Sequence, residues 1–202
     1  MAKSPVPPDV RDTVIRELYR RVQKLDWDEM TAQEKSACYA EWVGDPGIGF
    51  ALADYQTAEG MRVWLKDGPL KEYARALEGV GQYARYTSKR LTPPSEFIPT
   101  VLGPGWAPVS RSVGEKPMHC TASDGTSERY VCWGKPGTFR DLLWAGVNKA
   151  IDSPATPLAI VTTREDGKQI SEQDRNWFLR LGEHCGIEVA FVTRRLEDVL
   201  LG

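Results

Sequence analysis

Hydrophobic residues in the first 60 positions recur at three- and four-residue intervals, the spacing of amphipathic helices. Pro8 with Asp9 is typical of a helix start, and the capping-box spacing of Thr31 and Glu34 predicts a second helix. A third helix is predicted from Asp45-Pro46, with Gly60 as its end. The first predicted helix carries an apolar stripe of Val10, Val14, Leu18, Val22 and Leu25.

The pattern changes after this helical stretch. Residues 61–65 (Met-Arg-Val-Trp-Leu) predict a short strand, and a long helix is predicted from Leu70 to Lys89. Gly81 lies on the apolar stripe of that helix, where a missing side chain permits close packing. Six prolines punctuate residues 88–117, which predict a long loop.

The C-terminal half alternates strand-like and helix-like segments. Asp124-Gly125 between two β-branched runs predicts a hairpin, Thr138 and Ser171 predict helix caps, and residues 196–201 predict a terminal helix. The order β-β-α-β-α-β predicts an α/β fold, with α+β as the alternative. We expect a helical layer packed on a mixed sheet of about five strands. The segments predicted as strands are Met118–Ala122, Ser127–Trp133, Leu158–Val161 and Ile187–Val192.

Composition indicates a globular protein. A chain of 202 residues with 41% hydrophobic residues can bury a core as one compact domain, with residues 1–60 as its helical layer and 61–202 as its α/β core. The four cysteines form no Cys-x-x-Cys pair, which favours reduced thiols. With no bilayer-length apolar run and no signal-like start, we expect a soluble cytoplasmic protein without a membrane partner.

Positive charge is concentrated in one part of the chain. Seven cations and three acids give residues 62–90 a net charge of +4, whereas residues 1–61 carry −4. A basic helix face with an interleaved tyrosine suits a phosphate backbone, which predicts nucleic-acid binding. The alternative is that these arginines pair with the acidic N-terminal helices. The predicted face consists of Arg75, Gln82, Arg85, Tyr86, Lys89 and Arg90.

A second candidate phosphate site lies between a predicted strand and helix. Gly134-Lys135-Pro136-Gly137-Thr138 combines free amides at a helix start with cationic Lys135 and Arg140. The spacing is neither that of a Walker loop nor that of the dinucleotide fingerprint. The alternative is a tight turn with a helix cap, which the same residues would form. The predicted phosphate-binding residues here are Gly137, Thr138 and Arg140.

Two His-Cys pairs, His119-Cys120 and His184-Cys185, contain zinc-ligand side chains, and we expect Cys132 across the hairpin from Cys120. Adjacent residues of a strand point to opposite faces, however, and rarely reach one metal together. The alternation therefore argues against a zinc site.

Carboxylates and lysines form two candidate catalytic clusters. One contains Lys66, Asp67 and Glu72 with Asp54 and Glu59, and the other contains Asp124, Glu128 and Lys135. Hard oxygen ligands suit Mg²⁺, and a nearby cation can position an attacking water. Both clusters therefore predict a Mg²⁺-dependent reaction.

This arrangement resembles the restriction-endonuclease-like fold of the PD-(D/E)xK nucleases. The resemblance lies in the hairpin before a helix, the buried strand after it, the acids near the hairpin and Lys135 after its second strand. It implies Mg²⁺-dependent phosphodiester cleavage. The chain departs from the family because that strand has no Asp/Glu-x-Lys triplet, and Val63-Trp64-Leu65-Lys66 has tryptophan where the acid belongs.

Two functions remain open at this stage. The first is a nucleic-acid-binding protein, with a Mg²⁺-dependent nuclease of DNA or RNA processing or defence as its catalytic form. The second is a non-catalytic protein-binding or assembly module, which includes a homo-oligomer. Seven tryptophans, several in or beside predicted loops, would supply the anchors of such an interface.

Overall fold

A computed structural model describes residues 5–25, 27–153 and 155–199. The chain divides into two compact units. Unit 1 comprises Met1–Leu91 and Glu197–Gly202, and unit 2 comprises Thr92–Leu196. The division therefore falls after residue 91, whereas the boundary predicted from the sequence, within one domain, follows residue 60.

Unit 1 is mainly helical. The helices predicted from Pro8 and from the Thr31–Glu34 capping box are confirmed, and both arms of that capping box are present. A two-stranded sheet pairs the first and last strands of the described residues. The elements are α1 Pro8–Val22, α2 Ala32–Val43, α3 Gly49–Leu52, α4 Ala58–Asp67, α5 Tyr73–Leu77, β1 Lys89–Leu91 and β7 Leu196–Asp198.

The predicted strand at residues 61–65 is wrong, because these residues belong to α4. The Thr57 hydroxyl accepts a hydrogen bond from the Gly60 amide and caps the helix, so Gly60 lies in its first turn rather than at a helix end. Met61 and Leu65 are buried four residues apart while Val63 is exposed, which is helical periodicity.

The predicted long helix from Leu70 to Lys89 is also wrong. Helix α5 ends at Leu77, and Gly79 and Gly81 follow with φ angles of +77° and +80°. These angles lie in the left-handed region, which a right-handed helix cannot continue through. A 3₁₀ turn and β1 then complete the segment, so its basic residues do not share one helix face.

Unit 2 contains a mixed sheet that, within the described ranges, has five strands in the order β2-β3-β4-β5-β6. The hairpin is antiparallel, with Ser123 opposite Glu128, and β4, β5 and β6 are parallel. This confirms the α/β fold and the β-β-α-β-α-β order. The elements are β2 Ala107–Pro108, β3 Met118–Ser123, β4 Glu128–Gly134, α7 Phe139–Asp152, β5 Leu158–Arg164, α8 Glu172–His184 and β6 Glu188–Arg194.

Residues 88–117 are not a loop throughout. They contain β1, β2 and helix α6, which spans Pro94–Leu102 and has Pro94 in its first turn. Phe97 and Ile98 of α6 are buried against the sheet. The predicted terminal helix is wrong over residues 196–198, which form β7, and residues 200 and 201 lie outside the described residues.

The unit 2 sheet has a core on each face. Phe97 and Ile98 of α6 pack on one face with Cys120 and Trp133. Helices α7 and α8 cover the other face, as expected when successive parallel connections are made in one direction. Within the described residues, no helix has both the length and the apolarity needed to cross a bilayer.

Candidate functional site

Two of the basic residues predicted to bind nucleic acid form ion pairs inside unit 1. Arg75 forms an ion pair with Glu72, and the Arg85 guanidinium lies 3.3 Å from Asp12. The buried Tyr86 hydroxyl donates to the same Asp12 carboxylate at 2.6 Å, and this hydrogen bond is the main reason that the pKa of Asp12 is lowered. The Arg85–Asp12 contact matches the alternative in which the arginines pair with the acidic N-terminal helices, whereas the partner of Arg75 belongs to the basic segment itself.

The remaining members of the predicted basic face lie on different elements. Gln82 is exposed in the turn after α5, and Lys89 and Arg90 are in β1. The Arg90 side chain lies beside Gly79. The structure thus separates residues that a single helix would have aligned, and nucleic-acid binding stays a prediction.

The candidate phosphate turn has the contacts of a tight turn. Both the amide and the hydroxyl of Thr138 donate to the Lys135 carbonyl at 2.9 Å, so the predicted Thr138 side-chain cap does not form. A Cβ at Gly134 would lie 2.6 Å from the Thr138 hydroxyl, which explains the glycine there. The exposed Arg140 guanidinium lies 3.5 Å from the Asp141 carboxylate. A Cβ built at Gly137 would have no atom within 4 Å.

Some members of each predicted acidic cluster lie far apart. Glu59 and Asp67 lie eight residues apart on α4, about 12 Å along its axis, and Glu72 is paired with Arg75. Glu128 and Lys135 lie at opposite ends of β4, roughly 23 Å apart.

Asp124 is held in the hairpin turn, where its carboxylate accepts the amides of Thr126 and Ser127; these bonds lower its pKa. The carboxylate thus stabilises the hairpin turn. Among the described residues, no group of three or more acids, histidines or cysteines could hold a metal ion.

The two cysteines of the hairpin face opposite sides of the sheet. His119, not Cys120, is opposite Cys132 in the hairpin, which corrects the predicted pairing. Cys120 and Cys132 belong to the cores on opposite faces of the sheet. Burial raises the pKa of Cys120 to about 11 and that of Cys132 to about 12, so neither thiol ionises readily near neutral pH.

Two tryptophans of unit 2 stand out because they are exposed on helices rather than buried or in loops. Trp144 of α7 is 67% exposed, and Trp177 of α8 is 53% exposed. By contrast Trp27, Trp42 and Trp133 are buried. The exposed pair lies in regular helices, whereas half-buried Trp106 lies in the loop between α6 and β2.

The outward direction of Trp144 follows from how α7 packs. Leu142 and Gly146 face the core, and a Cβ at Gly146 would lie 2.7 Å from Ile187. Trp144 therefore projects to the opposite side, and Ile151, seven residues later and 78% exposed, lies on the same side. We call Arg140, Trp144 and Ile151 the α7 stripe.

Helix α8 adds apolar surface to the same layer. The rings of Phe139 and Phe178 are 4.3 Å apart between centroids, so α7 and α8 are in contact. Trp177 and Leu179 flank Phe178 and are exposed. The α7–α8 layer therefore combines a packed inner face with an outer face that carries large apolar side chains.

The signal for the α7 stripe was present in the sequence. The residues that alternate with the inward positions of α7 include Trp144 and Ile151, which helical spacing places opposite the core. The predictions from sequence concerned the inward positions of α7 and the charged residues, and did not include the α7 stripe.

No family model, no curated protein and no solved structure matches the chain. The resemblance to PD-(D/E)xK nucleases therefore stays a prediction, as does Mg²⁺ binding.

Proposed function

We propose that the chain is a non-catalytic protein-binding module that binds its partner through the α7 stripe. The observation that carries this proposal is the pair Trp144 and Ile151, which are 67% and 78% exposed on one side of one helix. Tryptophan is the residue most enriched among interface residues that dominate binding energy. The partner would therefore be a protein with a complementary apolar groove.

The spacing of the stripe supports a particular mode of binding. Trp144 and Ile151 are seven residues apart, the separation at which anchors of one helix enter a hydrophobic groove. Arg140 lies four residues before Trp144 and places a cation at one end of the stripe. The helix is already held against the sheet by Leu142 and Gly146, so binding does not require it to fold.

The alternative of nucleic-acid binding has weaker support. Arg75 and Arg85, the central residues of that prediction, have acidic partners within unit 1. A polyanion would have to displace Glu72 and Asp12 to engage them.

The first test places a photo-crosslinking amino acid in the full chain at Asn148, which is exposed between Trp144 and Ile151. The matched control carries it at Gln33, which is exposed on α2. We expect a discrete crosslinked protein from Asn148 and none at that mass from Gln33, in extracts treated with nuclease. Equal products at both positions, or a product that nuclease removes, would contradict the proposal.

A further inference from the structure

Strand β6 forms one end of the unit 2 sheet. On its inner side, the Glu188 amide donates to the Pro157 carbonyl and the Arg194 carbonyl accepts from the Glu165 amide. The even-numbered residues of β6 therefore bond to β5, and the backbone groups of the residues between them point the other way. Those residues are Val189, Phe191 and Thr193.

Among the described residues, hydrogen bonds reach the outer side of the strand at its C-terminal end. The Thr92 amide donates to the Arg195 carbonyl at 2.9 Å, and the Arg195 amide donates to the Thr92 hydroxyl at 3.1 Å. These bonds confirm the alternation. Across the described part of the chain, no strand is paired with the outer side of Val189–Thr193.

This open segment lacks the devices that usually protect a sheet edge. It contains no proline and no charged residue. Val189 and Phe191 are half-buried on the α8 side, and Ala190 and Val192 are half-buried on the α6 side. Another strand added here would extend both cores.

The outward residues of the segment suit a second copy of the same strand. In antiparallel pairing centred on Phe191, that residue lies opposite itself and Val189 lies opposite Thr193, so the outward amides and carbonyls of all three residues are bonded. The two Phe191 side chains then lie next to each other on one face of the joined sheet, and aromatic pairs of this kind stabilise paired strands. The end charges take no part, because the Glu188 carboxylate already accepts a hydrogen bond from Arg129 at 2.6 Å.

Helix α8 supplies an independent indication. The Phe178 ring faces Phe139 of α7, whereas the Arg175 guanidinium lies 4.6 Å from the Phe191 ring centroid of β6. Around the axis of α8, Leu179 and Arg175 are both rotated to the same side of Phe178. Because Phe178 faces α7 and Arg175 faces β6, Leu179 lies on the flank of α8 away from α7. It is exposed there and would face the α8 of a second copy.

We infer that the full chain forms a two-fold symmetric dimer in which β6 pairs antiparallel with β6 of a second copy, joining the two sheets. Leu179 of each α8 flanks the paired strands. This surface is separate from the α7 stripe, and the inference does not depend on the proposed function.

The test is the molar mass of the full chain by light scattering across a concentration series. Thr193→Pro removes an amide hydrogen that points outward without removing a bond to β5, and we expect the dimer to weaken at least about tenfold. Thr193→Val keeps that amide and retains the dimer. Far-ultraviolet circular dichroism verifies that both variants are folded.

Intermolecular disulfides test the orientation of the strands. Antiparallel pairing centred on Phe191 places position 189 of one copy opposite position 193 of the other, so an oxidised mixture of Val189→Cys and Thr193→Cys chains yields more crosslinked heterodimer than either variant alone. A protein that is monomeric at every concentration overturns the inference. So does a dimer that is unaffected by Thr193→Pro, one that gives no such heterodimer, or one that is lost in Trp144→Ser.

Discussion

The two units place their aromatic and charged residues differently. Unit 1 buries Trp27 and Trp42 against each other, with ring centroids 5.4 Å apart, and pairs Arg21 with Asp45 and Glu17 at 2.7 Å. Unit 2 buries Trp133 but exposes Trp144 and Trp177 on its helical layer. Unit 1 uses Arg21, Arg75 and Arg85 in internal ion pairs, whereas unit 2 exposes apolar side chains that suit a partner.

The largest effect is expected for the buried tryptophan of unit 2. Trp133 is 1% exposed and packs edge-on to Phe97 at 5.6 Å between ring centroids. Trp133→Ala should destabilise unit 2 by about 3–5 kcal/mol, because it leaves a cavity between β4 and α6. Hydrogen exchange resolved by segment should show the loss in residues 92–196. Unchanged protection there would contradict the described core.

A slightly smaller loss is expected in unit 1 from adding one methyl group. A Cβ at Gly49 would lie 1.9 Å from the Val43 carbonyl oxygen, a backbone atom that cannot move aside. Gly49→Ala should destabilise unit 1 by about 3 kcal/mol, measured by urea unfolding. Gly137→Ala is the matched control, since a Cβ there meets no atom within 4 Å. Equal stability of the two variants would refute this packing.

The internal role of the unit 1 cations is tested at a partly buried pair. Asp45 accepts two hydrogen bonds from the Arg21 guanidinium, at 2.7 and 2.8 Å. Asp45→Ala should cost about 1 kcal/mol in unfolding free energy. The control Asp141→Ala removes an exposed partner of Arg140 in unit 2 and should leave stability unchanged. A comparable loss from both substitutions would remove the contrast between the units.

The same ion pairs make unit 1 sensitive to acid. Hydrogen bonds from Arg20 and then Arg21 lower the pKa of Glu17 to about 2. Because this folded-state pKa is below the ordinary value of 4.5, the stabilisation is present above about pH 4.5 and is lost as the pH falls toward 2. Glu17→Gln should flatten this dependence in thermal unfolding between pH 6 and pH 3. A slope equal to that of the unchanged protein would argue against the pairing.

The smallest stability change is expected at the α7 stripe. Trp144 is largely exposed, so Trp144→Ser should alter the free energy of unfolding by less than about 0.5 kcal/mol. Its effect should be on partner binding instead. A large loss of stability would mean that this tryptophan belongs to the core.

The C-terminal half was predictable because the turn, cap and hydrophobic-pattern signals of each segment all favour the same structure. Asp124-Gly125 marks the hairpin, Ser171 caps α8 by accepting from the Asp174 amide, and residues 158–161 form a buried apolar strand. Residues 57–91 were less predictable from the sequence. A single threonine, Thr57, caps the start of α4, and the left-handed glycines at 79 and 81 divide an apparently continuous helical pattern.

The candidate site was harder to predict for a different reason. The ion pair between Arg85 and Asp12 joins residues 73 positions apart, so no local pattern shows that the positive charge is compensated. Helical spacing alone, by contrast, places Trp144 and Ile151 opposite the inward face of α7. The net charge of a sequence segment was therefore a weaker guide to which residues are exposed and unpaired with acids than the side of the helix on which an apolar residue lies.

The most direct test of the account is the affinity of the purified crosslinked partner for matched variants of the full chain. We predict that Trp144→Ser with Ile151→Ser weakens binding at least about tenfold, whereas Arg75→Ala with Arg85→Ala leaves it within about twofold. Loss of binding in the arginine variant with retention in the stripe variant would contradict the account and return the interface to the basic residues of unit 1.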